Sequence, residues 1–237
     1  MDDLKKEELW FNTPDTFSLC RGGGNGPQHP SQYYAILKYV EPGMSFLDYG
    51  CGSATTLECL VTRNDLINKL AYRHPTKDNE RIFSLKYKGL DIIPKNIEWC
   101  KKQFDWADFE VNKILHKIDQ PDKSFDVVYS RHVVDHMKSF EDAMDEHKRV
   151  AKKLVIVILW TGLIDKDEHE IKNIIDQRGL PTEKLYPNEY TNNYSRKLVT
   201  EYLTSDPEWE LLELTDDVGA EVSGHDTVIV LRRVDAT

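Results

Sequence analysis

Met44-Ser-Phe-Leu-Asp-Tyr-Gly-Cys-Gly-Ser-Ala-Thr-Thr56 runs from a short apolar strand straight into an acidic residue and two closely spaced glycines. Glycine lets a backbone turn sharply and approach a ligand closely, and a helix beginning just after it aims free N–H groups into the same crevice. The stretch reads as a central strand and turn of an open α/β sheet, with a ligand crevice at the strand's carboxyl end. A plain strand-to-helix turn would account for the glycines alone. Asp48 adds a carboxylate two residues before Gly50, at the edge where such sheets bind ligands. The dinucleotide pattern G-x-G-x-x-G fails here because Thr55 stands at its third glycine, and a β-branched side chain there opposes a pyrophosphate over the helix start.

Outward from this stretch, strand-like runs at 85–91, 109–111, 125–130 and 154–160 alternate with helical patterns, which predicts a mostly parallel sheet with crossover helices. Residues 94–104 place proline in a first turn and space Ile97, Cys100 and Phe104 along one face. Ser139-Phe-Glu-Asp142 reads as a variant capping box before another helix. Runs at 209–214 and 227–232, separated by the turn-prone Asp216, Asp217, Gly219 and Gly224, predict an antiparallel hairpin at the sheet edge.

A chain of 237 residues suits one α/β domain. Its 31 Lys and Arg against 41 Asp and Glu leave a net charge of −10, which opposes attraction to nucleic acid and to anionic membranes. Cys20, Cys51, Cys59 and Cys100 form no C-x-x-C pair, which suits a reducing cytoplasm. The first residues lack the apolar run of a signal peptide, and the longest apolar run, 154–160, is too short to span a bilayer, so a cytoplasmic protein is expected.

Two segments stand apart from the main pattern. Residues 1–28 are expected to hold an N-terminal helix and the glycine-rich Arg21-Gly-Gly-Gly-Asn-Gly-Pro27, a lid over the crevice or a simple linker. The main domain is then 29–237, with a cap insertion near 161–205 containing two helices and a linker that carries Tyr186, Tyr190 and Tyr194. That linker is either a substrate-facing cap or an ordinary surface connection.

The opening stretch resembles motif I of the class I S-adenosylmethionine (SAM) dependent methyltransferases, apolar-apolar-acidic-x-Gly-x-Gly-x-Gly, with Ala54 in place of the third glycine. Tyr87-Lys-Gly-Leu-Asp-Ile-Ile-Pro94 is similar to the motif that follows in that family, and Phe125-Asp-Val-Val-Tyr-Ser-Arg-His-Val-Val-Asp-His-Met137 to its motif IV region. Motif order carries the resemblance over roughly residues 35–160. It implies a Rossmann-like, doubly wound, mostly parallel seven-stranded α/β sheet closed by an antiparallel C-terminal hairpin, with SAM as cofactor.

The resemblance also implies roles. Asp48, Tyr49, Gly50, Cys51 and Gly52 would surround the cofactor, Asp91 would accept from its ribose hydroxyls, and Ile92 would pack on adenine. Asp91 comes 43 positions after Asp48, where the acid of a nucleotide-binding motif comes about 20 residues on, so an insertion near 64–81 is expected. Asn112 would accept from the adenine amino group with Ile114 beside it, although Asn after a strand is also an ordinary turn residue. Ser130 and Arg131 would neighbour the methionine part, with Arg21 meeting its carboxylate.

Methyl transfer to oxygen needs a base, and a neutral histidine suits that task. His132 is the first candidate and His136 the second. His29, Tyr33, Tyr190 and Tyr194 would line the acceptor side. His132, Asp135 and His136 also resemble a divalent-metal cluster of some O-methyltransferases, but related sequences use an acid and a histidine here merely to fix the loop, and the spacing is not H-E-x-x-H. No metal site is expected. The sequence thus points to a SAM-dependent methyltransferase acting on a small polar acceptor, through a hydroxyl, and not on nucleic acid. The alternative is a SAM-binding regulatory or partner subunit without transferase activity.

Overall fold

Seven strands form one sheet because each central strand carries an apolar run buried on both faces, the pattern of parallel sheets covered on either side by helices. In a computed structural model, residues 29–73, 81–114, 116–137, 139–171, 192–218 and 226–234 are described. The central strand β1 (Ser45–Tyr49) is followed by α2 (Thr55–Thr62) and preceded by α1 (Pro30–Tyr39), which His29 caps with Pro30 in its first turn. After α3 (Asn64–Leu70), a short antiparallel pair, β2 (Ala71–Arg73) and β3 (Arg81–Phe83), lies outside the main sheet. This insertion accounts for the long spacing between the two acidic motifs, and its hairpin was not foreseen.

The chain then lays β4 (Lys86–Asp91), α4 (Pro94–Gln103) and β5 (Asp108–Val111) on one side of β1. It crosses back to β6 (Phe125–Arg131) on the other side of β1, continues through α5 (Phe140–Val150) to β7 (Ala151–Leu159), and reaches α6 (Arg196–Ser205). Strands β8 (Trp209–Val218) and β9 (Asp226–Arg233) complete the order β5-β4-β1-β6-β7-β9-β8, with β9 antiparallel to both neighbours. The order reverses at β1, so the crevice at the carboxyl ends of β1 and β6 is where an open sheet of this kind takes a ligand.

Side-chain alternation splits the core into two layers. Phe46, Tyr129, Ile156 and Val230 face one layer with Ile36, Leu57 and Ile97 from α1, α2 and α4, while Leu47, Val128, Val155 and Ile229 face the other with Met144 and Leu203 from α5 and α6. Ser139 caps α5 as its capping motif predicts, accepting from the Asp142 N–H at 3.1 Å.

Of the strand boundaries that differ from expectation, three have a visible physical cause. β7 begins at Ala151 rather than 154, because α5 ends at Val150 and the exposed Lys152 occupies a solvent-facing position in a strand otherwise buried after its start. Trp160 leaves that strand, since its N–H donates to the Asp135 carboxylate instead of the ladder. Asp216 and Asp217 belong to β8 and not to a turn: a bulge between Thr215 and Val218 absorbs them, with Asp217 at φ +59° and Asp216 accepting from the Thr227 hydroxyl at 2.6 Å. Of the two helices expected in the cap, α6 is seen; residues 172–191, with Tyr186 and Tyr190, lie outside the described residues, as do residues 1–28 with Arg21.

Candidate functional site

At the end of β1 the backbone turns through three left-handed residues, Gly50 at φ +74°, Gly52 at +53° and Ala54 at +57°. The Gly50 and Cys51 N–H groups both donate to the Leu90 carbonyl, at 2.8 and 2.9 Å, which locks the turn onto β4. A Cβ at Gly50 would come 2.2 Å from Cγ2 of Val133, so the glycine is required by the approach of the loop after β6 as well as by its own φ.

Asp91 closes the other side of the turn. Its Oδ2 accepts from the Gly52 N–H at 2.9 Å, and its Oδ1 from the Ile93 N–H at 2.8 Å and the Asn96 side chain at 3.2 Å. Burial raises its pKa against the pull of those three donors. The carboxylate therefore braces the glycine turn against the start of α4 and keeps about one of its four acceptor positions for anything else. Ile92 is half-buried beside it, and Tyr49 and Cys51 are 4% and 6% exposed.

Several expected ligand contacts are instead spent inside the protein. Asp48 shares the face of Phe46, is 2% exposed and accepts from the Tyr87 hydroxyl at 2.7 Å, and burial drives its carboxyl up to about 7. Asn112 donates to the Ile114 and Lys117 carbonyls, at 2.6 and 2.9 Å, and its oxygen accepts from the Asp119 N–H at 2.9 Å. It folds the loop that leaves Ile114 exposed. Ser130 is fully buried and meets His147 Nε2 at 2.8 Å; since His147 Nδ1 faces the Ala143 carbonyl, Nδ1 carries the proton and the Ser130 hydroxyl donates. Tyr194 is 1% exposed and donates to the Val134 carbonyl at 2.7 Å, so it is a core residue and not a surface-facing one. Tyr33 is half-buried with the Arg63 guanidinium 3.4 Å above its ring.

Three other expected residues do converge. Asp226 Oδ2, at the head of β9, accepts from the Ser31 hydroxyl at 2.5 Å and lies 3.1 Å from His132 Nε2, 3.4 Å from Arg131 Nη2 and 3.6 Å from His29 Nδ1. Burial opposes ionisation of Asp226, but its partners outweigh it and hold the carboxyl below its usual value. Burial drives His132 down to about 4, so the imidazole is neutral at pH 7 and Nε2, facing a carboxylate, carries its proton. The ring of His132 stacks on Trp160 at 6.0 Å, and His136 meets the same indole edge-on at 6.3 Å.

Asp135 is buried, and both of its oxygens accept from the Trp160 N–H, which fixes the loop rather than presenting a ligand. Among the described residues no three His, Cys, Asp or Glu side chains converge as a metal site. Asp226 and Ser31 are not among the site residues that the sequence motifs single out. The available signal was a lone carboxylate heading the apolar run Thr227-Val-Ile-Val230.

Residues 47–159 match the methyltransferase domain family Methyltransf_11. Over these residues, just under half of its length, the chain is similar to the class I SAM-dependent methyltransferases. Solved structures share the methyltransferase fold. A SAM-dependent methyltransferase from Aquifex aeolicus is 18% identical, with 99% of this chain and 100% of that one covered at a TM-score of 0.53. Magnesium protoporphyrin IX methyltransferase from Synechocystis, with S-adenosylhomocysteine bound, is 12% identical, with 98% and 100% covered at 0.60. A Burkholderia thailandensis 1,6-didemethyltoxoflavin-N1-methyltransferase, with its acceptor and S-adenosylhomocysteine bound, is 10% identical, with 88% and 79% covered at 0.58. No curated protein matches the chain. No helix among the described residues is long and apolar enough to cross a membrane.

Proposed function

We propose that this methyltransferase domain moves the methyl group of SAM to a hydroxyl oxygen of a small polar acceptor, with His132 as the general base. The observation that carries this reading is the position of His132: it directly follows β6, at the edge where the glycine turn and the loop after β6 touch, and its imidazole is neutral. The net charge of −10 favours a small acceptor over a polynucleotide.

The residues around the turn fit SAM. Ser53 Oγ, inside the turn, and Gln32 Oε1, on a side chain that bonds Thr55, are buried without a hydrogen-bond partner and suit the polar methionine end of the molecule. Ile92 and Ile114 would flank adenine, and Asp91 has room for one ribose hydroxyl. When bound, SAM supplies a sulfonium-activated methyl group and leaves as a neutral thioether.

The chain's own work is to align the acceptor, exclude water and move one proton. His132 Nδ1 holds the free lone pair and takes the hydroxyl proton as the new oxygen–carbon bond forms. His136, beside the same indole, is the second candidate for that task.

Labelled SAM incubated with the protein and a fractionated lysate tests the reading: label is expected in small molecules, and His132→Ala should lower transfer about 100- to 10,000-fold with SAM affinity nearly unchanged. Label entering DNA or RNA would overturn the acceptor class. Full transfer by the variant would overturn the base.

A further inference from the structure

The polar cluster at the head of β9 contains a carboxylate for which the proposed reaction has so far found no use. We propose that Asp226 is the positioning residue for His132, holding the imidazole with Nε2–H toward the carboxylate so that Nδ1 is the atom presented to the acceptor. The inference rests on the preceding reading of His132 as base.

The placement is specific to this sheet order. Strands β6 and β9 are not neighbours, since β7 runs between them, so His132 reaches Asp226 across the end of β7. The His132 backbone is clamped there by its own N–H, which donates to the Ile158 carbonyl of β7 at 2.8 Å. It holds φ +57°, a left-handed conformation that is strained for any residue with a Cβ and persists only where surrounding contacts over-determine it. Those contacts are the Ile158 carbonyl on the backbone, Asp226 on one ring nitrogen and Trp160 on the ring face.

A base that must meet a hydroxyl in one orientation needs its tautomer and ring plane set in advance. A neutral imidazole has one N–H and one lone pair, and the carboxylate decides which nitrogen has which. Asp226 is in turn oriented by the Ser31 hydroxyl and the Arg131 guanidinium, and although burial opposes its ionisation, His132 first and then Ser31 and Arg131 hold its carboxyl below the usual value. A purely structural ion pair between Arg131 and Asp226 would need no imidazole at 3.1 Å, and it would leave the His132 tautomer free.

The test compares the full-length wild type with Asp226→Ala, with S-adenosylhomocysteine bound, by nitrogen-15 NMR of the histidine rings, the His132 signals being assigned with His132→Gln. The wild type should show a single Nε2–H tautomer at pH 7. The variant should show mixed tautomers, and transfer of label to the metabolite fraction should fall about 100-fold or more, with S-adenosylhomocysteine affinity within about threefold. If Asp226→Ala does not bind S-adenosylhomocysteine, the near-isosteric Asp226→Asn is read for transfer, with the same fall expected. A wild-type His132 in the other tautomer, or transfer within about threefold of wild type in the variant that binds, overturns the role of Asp226. Should His132→Ala itself keep full transfer, the base reading fails first; an inactive His132→Ala beside an active Asp226 variant rejects the positioning role alone.

Discussion

Asp48 and His147 are both buried and titrate in opposite directions. Burial raises the Asp48 carboxyl from 3.8 to about 7, so its contribution to stability is fully present below pH 3.8 and is lost as pH rises through 7. Burial lowers His147 from 6.5 to about 4, so its contribution is present above pH 6.5 and is lost as pH falls through 4. That shift corresponds to about 3 kcal/mol. Urea unfolding of His147→Gln, followed from pH 7 to pH 4, should therefore show a shallower loss of stability than wild type by roughly that amount; identical slopes would mean that His147 is not held neutral. At this scale the sequence is a partial guide. The residue types of the glycine turn and of His132 announce their chemistry, but burial of Asp48, Asn112 and Tyr194 depends on strand register and loop closure. The carboxylate of Asp226 at the head of its apolar run is visible in the sequence, but its meeting with His132 is not, because 94 positions separate them and only the β6-β7-β9 order brings them together.

The elements rest on two local devices whose removal has different signatures. Ser139→Ala removes the acceptor for the Asp142 N–H at the start of α5 and should cost about 1 kcal/mol without altering cofactor affinity. Gly50→Ala should do more, combining about 1–2 kcal/mol for a left-handed alanine with about 1–3 kcal/mol for the collision with Val133. Adding Val133→Ala should relieve the collision and leave the backbone cost, so thermal unfolding of the double variant should show partial recovery over Gly50→Ala. No recovery would mean that Val133 does not set the requirement for glycine. Strand interiors were legible because a continuous apolar run predicts burial on both faces; their ends were not. The exposed Lys152 hid the start of β7, and a bulge carried β8 through two aspartates that read as a turn.

For the whole molecule, the mostly parallel seven-stranded sheet and its antiparallel closing hairpin followed from alternating strand and helix patterns and from the resemblance carried by three motifs, whereas the order of the strands is read only from the fold. The β2–β3 hairpin did not, because three-residue strands carry too little periodicity to be read. A net charge of −10 makes retention on DNA or RNA at near-physiological salt unexpected, and salt-dependent retention would point to a basic patch and a different acceptor. The turn at Gly50–Gly52, braced by Asp91, carries the proposal of a SAM site. Calorimetric titration of the folded chain tests it most directly: saturable binding of S-adenosylhomocysteine with no binding of NAD is the expected result, whereas saturable binding of NAD with none of S-adenosylhomocysteine would contradict it.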